Sequence, residues 1–488
     1  MPRDAPHPFA LFSLVPLNER AFQVLDLPDN SHHVSSFWHE DEHLRGLDVG
    51  IHIGSKSRYT LATIGRMGDI LVEGSSISRI QCSFEISEIN QKEIMLHDRS
   101  TNKSTYFFGE TAMSFENRHP HRRVVVDNKV NLEFGFGRDA GDLYQFRIVW
   151  HGHLKHTPGL EYREDNPRQT RTVLDAPPTV APSHPVTRIH PPGGLGTIRY
   201  SERGKLGNGA FGEVWKAVNV DSGEYLAVKR LKRPILQSRQ YVLLKREVES
   251  LTGISHRNII VYRATQWAAN DEYLEIFMDV KSGNVLHLIR AGHFTKEPSS
   301  VKPFLHQMLQ ALDYLVSKSI IHRDVKPENI LYTSLQEGAY LYQLADFGLA
   351  NIVGDAQSRV GTGPYMAPEL EHSSSLPQTP KMDVWSLFVT LAYAVNGAGF
   401  QKKPLHTTAL LIQAVQDAAN DVVLKPFRDM AIVNPSQRAT AGDMLDKIFA
   451  GKGRTTEKVA RKLVKPAEEV PPEEAVATVR GEESEARK

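Results

Sequence analysis

Along roughly the first third of the chain, apolar residues come in short alternating or β-rich runs, at residues 9–16, 21–27, 48–53, 59–64, 81–86, 93–97, 105–108, 122–126, 129–134 and 144–150. Turn-forming groups such as Pro28-Asp29-Asn30, Gly74-Ser75, Glu88-Ile89-Asn90 and Asp127-Asn128 separate them. Many short strands at this spacing predict an all-β sandwich or barrel over residues 1–151. Cys82, Phe84 and Ile86 alternate onto one face, which puts Cys82 in the core. The pattern stops over 152–196, where prolines cluster with Thr, Arg and Asp, as in an extended spacer. Strands and helices mix from 197 to 450. There Val301, Phe304, Leu305, Met308, Leu309, Leu312, Leu315 and Val316 recur at helical spacing and predict a buried helix. The remainder, 451–488, runs from basic to acidic with prolines and reads as a solvated, disordered tail.

Composition changes this picture little. The 488 residues are 40% hydrophobic and 24% charged, with a formal net charge of +1. That is an ordinary globular balance with no global field for nucleic acid, so no direct nucleic-acid partner is expected. One cysteine excludes an intramolecular disulfide and argues against a cysteine-based zinc site. The apolar run at 9–15 is too short for a membrane span and lacks the strongly basic flank and small-residue cleavage site of a signal peptide, so it reads as a strand. No membrane partner is expected, and the expected location is nucleus, cytoplasm or both.

The chemistry concentrates after the long helix, in Ile320-Ile321-His322-Arg323-Asp324-Val325-Lys326-Pro327-Glu328-Asn329, followed by Asp346-Phe347-Gly348. This pairing carries a general base, a phosphate-neutralising Lys and metal-ligating Asn and Asp side chains in one short span. Upstream, Leu206-Gly207-Asn208-Gly209-Ala210-Phe211-Gly212-Glu213-Val214 is a Gly-rich loop, and Leu226-Ala227-Val228-Lys229 follows at strand spacing. A lone GxGxxG is weak because dinucleotide-binding folds share it; the Val and Lys that follow remove that reading.

Together these motifs resemble the protein kinase family, which has a bilobal α+β fold and uses ATP and Mg2+. The resemblance implies Asp324 as base and Lys326 as its neighbour on the transferring phosphate. Asn329 and Asp346 would hold the metal. Lys229, paired with Glu247, would hold the ATP phosphates, and Ala227, Met278 and Asp279 would lie near adenine, with Met278 as gatekeeper. The Asp-x-Lys-x-x-Asn form resembles serine/threonine kinases. Arg323 before the catalytic Asp implies dependence on an activation-loop phosphate, for which Ser358 is the expected site. Thr362 is expected to shape the substrate site. Glu369 should pair with Arg438, and Asp383 should brace the catalytic loop. Val285 stands where arginine-directed relatives carry Glu, and Phe388 where Gly is common.

In the N-terminal part, three patches resemble a forkhead-associated (FHA) domain: Ile64-Gly65-Arg66, Ser76-Ile77-Ser78-Arg79-Ile80-Gln81-Cys82, and Leu96-His97-Asp98-Arg99-Ser100-Thr101-Asn102-Lys103-Ser104-Thr105. The resemblance implies phosphothreonine binding by Arg66, Ser78, Arg79, Thr101 and Asn102. Gln81 replaces a structural His, and Lys103-Ser104 replaces the Gly after Asn102. The whole resembles checkpoint effector kinases: an FHA sandwich before a kinase, acting on protein substrates, recruited by phosphothreonine proteins and self-associating through FHA. The alternative expectation is a phosphopeptide-binding scaffold with weak kinase activity.

Overall fold

The computed structural model describes residues 3–55, 57–116, 122–137, 142–152, 197–209, 212–232, 254–269, 272–346, 363–370 and 379–457. The expected positions Ala210, Phe211, Glu247, Ser358 and Thr362 lie outside them, as do the side chains of Asn208 and Gly209.

Two sheets face each other in the N-terminal sandwich. One has the order β2-β3-β1-β11-β10-β8, the other β5-β4-β6-β7-β9. The strands are β1 (Ala10–Pro16), β2 (Val34–His39), β3 (Glu42–Gly50), β4 (Thr60–Gly65), β5 (Ile70–Leu71), β6 (Cys82–Ile86), β7 (Ile94–Asp98), β8 (Thr105–Phe108), β9 (Arg123–Val126), β10 (Glu133–Phe136) and β11 (Tyr144–Trp150). Inward residues alternate along them, and Phe12, Phe84, Phe134, Phe136 and Phe146 fill the space between the sheets. Cys82 is fully buried among them, as its alternation predicts.

The run at 21–27 is not a strand. Glu19–Leu25 is helix α1, because the Asn18 side chain accepts the Ala21 N–H as an N-cap and Ala21, Val24 and Leu25 bury one helical face. The run at 129–134 also shifts: Asp127 caps a turn through Lys129 and Val130, and the strand begins at Glu133. β2 and the outer half of β3, with exposed Trp38 and charged neighbours, lack an apolar alternation to read.

The second body begins with a five-stranded antiparallel sheet, β12-β13-β14-β16-β15. Its strands are β12 (Tyr200–Gly209), β13 (Gly212–Asn219), β14 (Tyr225–Lys232), β15 (Tyr262–Trp267) and β16 (Tyr273–Asp279). Below it lie β17 (Gly283–Asn284), β18 (Ile330–Ser334), β19 (Tyr340–Leu344) and the helices α2 (Val285–Arg290), α3 (His293–Lys296), α4 (Val301–Ser317), α5 (Lys381–Val395), α6 (Thr408–Ala419) and α7 (Ala441–Phe449). α4 is the helix its period predicts, burying Phe304, Leu305, Met308, Leu309 and Leu312. α5 is buried on nearly every face, and Phe388 is part of that core.

The folded body runs past 450. Asp313 accepts the backbone N–H groups of Thr455 and Thr456 at 2.6 and 2.9 Å, and Arg454 pairs with Asp446. Among the described residues no helix is long and apolar enough to cross a membrane.

Candidate active site

Chain direction and hydrogen bonding bring the catalytic-loop residues together. α4 delivers the loop, and β18 and β19 form a hairpin that closes it. The fully buried His322 ring links the two sides: Nε2 donates to the Ala345 carbonyl at 2.8 Å, and Nδ1 accepts the Asp324 N–H at 3.2 Å. These two bonds fix the orientation of the ring between the catalytic loop and β19. Asp383, entirely buried, accepts the N–H groups of His322 and Arg323 at 2.7 and 2.8 Å. Burial pushes its carboxyl above the usual range, against the opposing pull of His322 and the two N–H groups. With those bonds made, Arg323 sits at φ 68°, a left-handed conformation held by its surroundings.

Asp324 is oriented from two directions. Its Oδ2 accepts Lys326 Nζ at 2.7 Å and Asn329 Nδ2 at 2.8 Å, and Asn329 Nδ2 also reaches the Asp324 carbonyl at 2.9 Å. The amide nitrogen of Asn329 is thereby committed, which leaves its oxygen as the acceptor suited to a hard cation. Asp346, at φ 62°, donates its N–H to the Tyr262 hydroxyl at 3.2 Å and accepts Lys229 Nζ at 2.6 Å.

Lys229 lies on β14 opposite Val214, and Ala227 lies opposite Met278. Val214, Ala227 and Met278 thus pack on one face of the sheet, and Leu206 on β12 is exposed. Gly212 admits no side chain, because a Cβ there would meet the Arg230 carbonyl oxygen at 1.9 Å. Asp279 is engaged by Arg263 at 2.6 Å and Lys281 at 3.3 Å. Its carboxylate is thereby engaged within the protein. Val285 is buried as the first residue of α2 and presents nothing to a substrate.

ATP and Mg2+ fit these residues. A buried lysine ammonium faces an aspartate, and Asn329 and Asp346 offer oxygen donors of the type Mg2+ takes alongside phosphates and water. Among the described residues no group of three or more His, Cys, Asp or Glu could hold a metal by itself.

At the sandwich end, the FHA-like patches meet. Arg66 N–H donates to the Ser78 carbonyl at 3.2 Å, and the Arg66 Nε donates to the Ile77 carbonyl at 2.7 Å. Thr101 N–H donates to Ser78 Oγ at 3.2 Å. Arg66, Arg79, Thr101 and Asn102 are exposed around this point. Gln81 is fully buried and braces it: Oε1 accepts the Ser78 N–H at 3.1 Å, while Nε2 donates to Ser104 Oγ and Thr105 Oγ1 at 2.9 and 3.2 Å. Beneath the loop, buried Asp98 accepts Ser100 Oγ at 2.7 Å, Thr105 Oγ1 at 3.0 Å and Arg122 Nε at 2.7 Å. Sequence reading missed the Asp98–Arg122 support and Tyr262. Arg122 belongs to a different strand run, so only the fold brings it there.

Comparison with known proteins agrees with this geometry. The protein kinase domain family model matches residues 200–450, just over half of the chain. The chain belongs to the protein kinase family. It is similar to the cytokinesis protein sepH of Emericella nidulans, 31% identical over 270 residues, which cover 53% of this chain and 19% of the relative. It is also similar to mitogen-activated protein kinase kinase kinase 2 of Arabidopsis thaliana, 32% identical over 313 residues, covering 58% of this chain and 44% of the relative. This chain therefore spans less than half the length of either. The solved structure of Rad53 1-466 in complex with AMP-PNP covers 85% of this chain and 98% of its own, with a TM-score of 0.50 and 20% identity. That likeness extends the shared fold through the N-terminal sandwich.

Proposed function

We propose that this protein is a serine/threonine protein kinase, transferring the ATP γ-phosphate to Ser or Thr of protein substrates, and that its sandwich binds phosphothreonine. The observation that carries the reading is the joint placement of Asp324, Lys326 and Asn329 on one carboxylate, with Asp346 and Lys229 paired across the cleft. Asp324 accepts the proton of the substrate hydroxyl, and the bonds from Lys326 and Asn329 keep its carboxylate in one orientation. Bound Mg-ATP supplies the phosphoryl group and the charge neutralisation for its transfer. Lys229 orients the phosphates, and Asn329 with Asp346 would hold the cation.

Recruitment belongs to Arg66, Ser78, Arg79, Thr101 and Asn102. Docking on a phosphothreonine of a partner, or of a second copy, raises local concentration toward the order of mM. That favours phosphorylation of Ser358 between copies. Arg323 supports this regulation: its Nε is buried and finds no hydrogen-bond partner among the described residues, so a loop phosphate would supply one. The setting is checkpoint-type signalling in nucleus, cytoplasm or both. Autophosphorylation of wild type against Asp324→Asn tests the activity. Arg66→Ala in cells tests recruitment: Ser358 phosphorylation should fall, and an unchanged level would refute it.

A further inference from the structure

Among the described residues, a buried polar network joins the sandwich to β12. Arg203 donates Nε to Glu93 Oε1 at 2.9 Å and Nη2 to Glu93 Oε2 at 2.6 Å, and Nη2 also lies 2.6 Å from Asp127 Oδ2. The Tyr225 hydroxyl donates to Glu93 Oε1 at 2.9 Å, and Ser201 Oγ to Asp127 Oδ2 at 3.3 Å. Glu93 is buried, and Arg203 and Asp127 are largely covered. Apolar packing surrounds the network. Met95 and Val125 of the sandwich cluster with Val218 and Tyr225, and Val220 joins the sandwich core. The Val125 N–H donates to the Val220 carbonyl at 2.8 Å. At Gly223, φ 73°, a Cβ would meet Met95 Sδ at 2.8 Å, so the β13–β14 turn seats without room for a side chain.

What makes this contact more than a domain seam is the register of β12. Glu202 pairs with Ala217 and Gly204 with Lys216, so Arg203 is the extra residue of a bulge. Lys205 pairs with Trp215 and Gly207 with Val214, so Leu206 is the extra residue of a second bulge. Bulges bend a strand and re-aim its side chains. The first one directs Arg203 onto the sandwich carboxylates, and the second opens the Gly-rich loop. The two share one strand, three residues apart.

We infer that Glu93 and Asp127 of the sandwich are positioning residues for the nucleotide loop: by holding Arg203 they set the course of β12 and so the height of Gly207 and Gly209 above ATP. The sandwich is then a working part of the nucleotide-binding lobe as well as a recruitment module. This rests on the kinase reading for its kinetic readout, but not for its binding readout.

The test uses the full chain in four forms: wild type, Glu93→Gln/Asp127→Asn, Arg203→Glu, and the swap Arg203→Glu/Glu93→Arg. ATP affinity is measured by direct titration of Mg-ATP, and transfer by ATP KM and kcat on a mixed Ser/Thr peptide library. Thermal unfolding checks folding. The double carboxamide and Arg203→Glu variants should weaken ATP about five- to tenfold with kcat nearly kept, and the swap should restore affinity. Folded variants with wild-type ATP affinity and KM would overturn the inference, as would a swap that folds but restores nothing. If wild type binds ATP and shows the variant effect without any transfer, the kinase reading fails and the positioning role stands. If wild type transfers phosphate with a KM indifferent to these residues, the positioning role fails and the kinase reading stands. Should Arg203→Glu not fold, the conservative carboxamide pair decides alone.

Discussion

The side-chain oxygen of Gln81 accepts the backbone N–H of Ser78 at 3.1 Å. Its amide nitrogen holds Ser104 and Thr105, so one buried residue fastens both halves of the loop set. A glutamine thus does the bracing that the FHA resemblance assigns to histidine. Gln81→Ala would leave buried groups unpaired and should lower stability by about 1–3 kcal/mol, read as a shift in the denaturant midpoint. Affinity for a phosphothreonine peptide should fall about tenfold. Arg66→Ala should cost more affinity and little stability, since its guanidinium is exposed.

Lys103 occupies a left-handed turn, φ 52°, at the position where the resemblance calls for glycine. Its side chain is exposed. Relief of that conformation in Lys103→Gly should stabilise the sandwich by roughly 0.5–1 kcal/mol. Phosphopeptide titration at low and high salt separates this gain from any loss of local positive charge.

Asp324→Asn keeps the shape of the loop but removes its proton acceptor. Phosphoryl transfer should drop by about two to four orders of magnitude, with Mg-ATP titration unchanged. Lys229→Ala should instead weaken nucleotide binding, because it leaves Asp346 without the ammonium 2.6 Å away.

The chemical centre was legible in the sequence because its residues are contiguous. Asp324, Lys326 and Asn329 lie within one short loop, so spacing alone brings them together. The sandwich was legible where strands alternate, as at β6, β8 and β11. It was misread at α1, where Ala21, Val24 and Leu25 fit a helical period as well as a β-rich composition and Asn18 decides as a cap. The supports of both sites escaped: Asp98 meets Arg122, and Glu93 meets Arg203, across long stretches of chain whose pairing only the sheet registers specify.

Arg438 and Glu369 form a fully buried pair at 2.7 Å, with further Arg438 bonds to the Ile432, Val433 and Lys381 carbonyls. Arg438→Met strands a buried carboxylate and should cost about 3–5 kcal/mol. Arg438→Met/Glu369→Leu should recover part of that loss, the carbonyls remaining unpaired. Thermal or denaturant unfolding of the two variants beside wild type measures it.

His52 stacks on His7 at 4.0 Å between ring centroids. Burial first, then the charges of His7, His33 and Arg3, push its pKa down to about 3, with the nearby Phe9 backbone opposing them only in part. The native ring stays neutral while the unfolded one takes a proton near pH 6.5. Stability from this site is therefore full above pH 6.5 and is lost as pH falls from there toward 3. Urea midpoints at pH 7.5, 6 and 5 should decline in wild type and decline less in His52→Asn.

Cys82 is the single thiol of the chain, sealed at 0% exposure between the sheets, and burial drives its pKa well above the ordinary value. A sealed, protonated thiol does not react with maleimides or iodoacetamides under native conditions. The wild-type chain is therefore already a blank for site-directed spectroscopy. One cysteine placed at exposed Trp38 and another at exposed Leu335, on opposite bodies, would carry the only dyes, with no native residue to remove first.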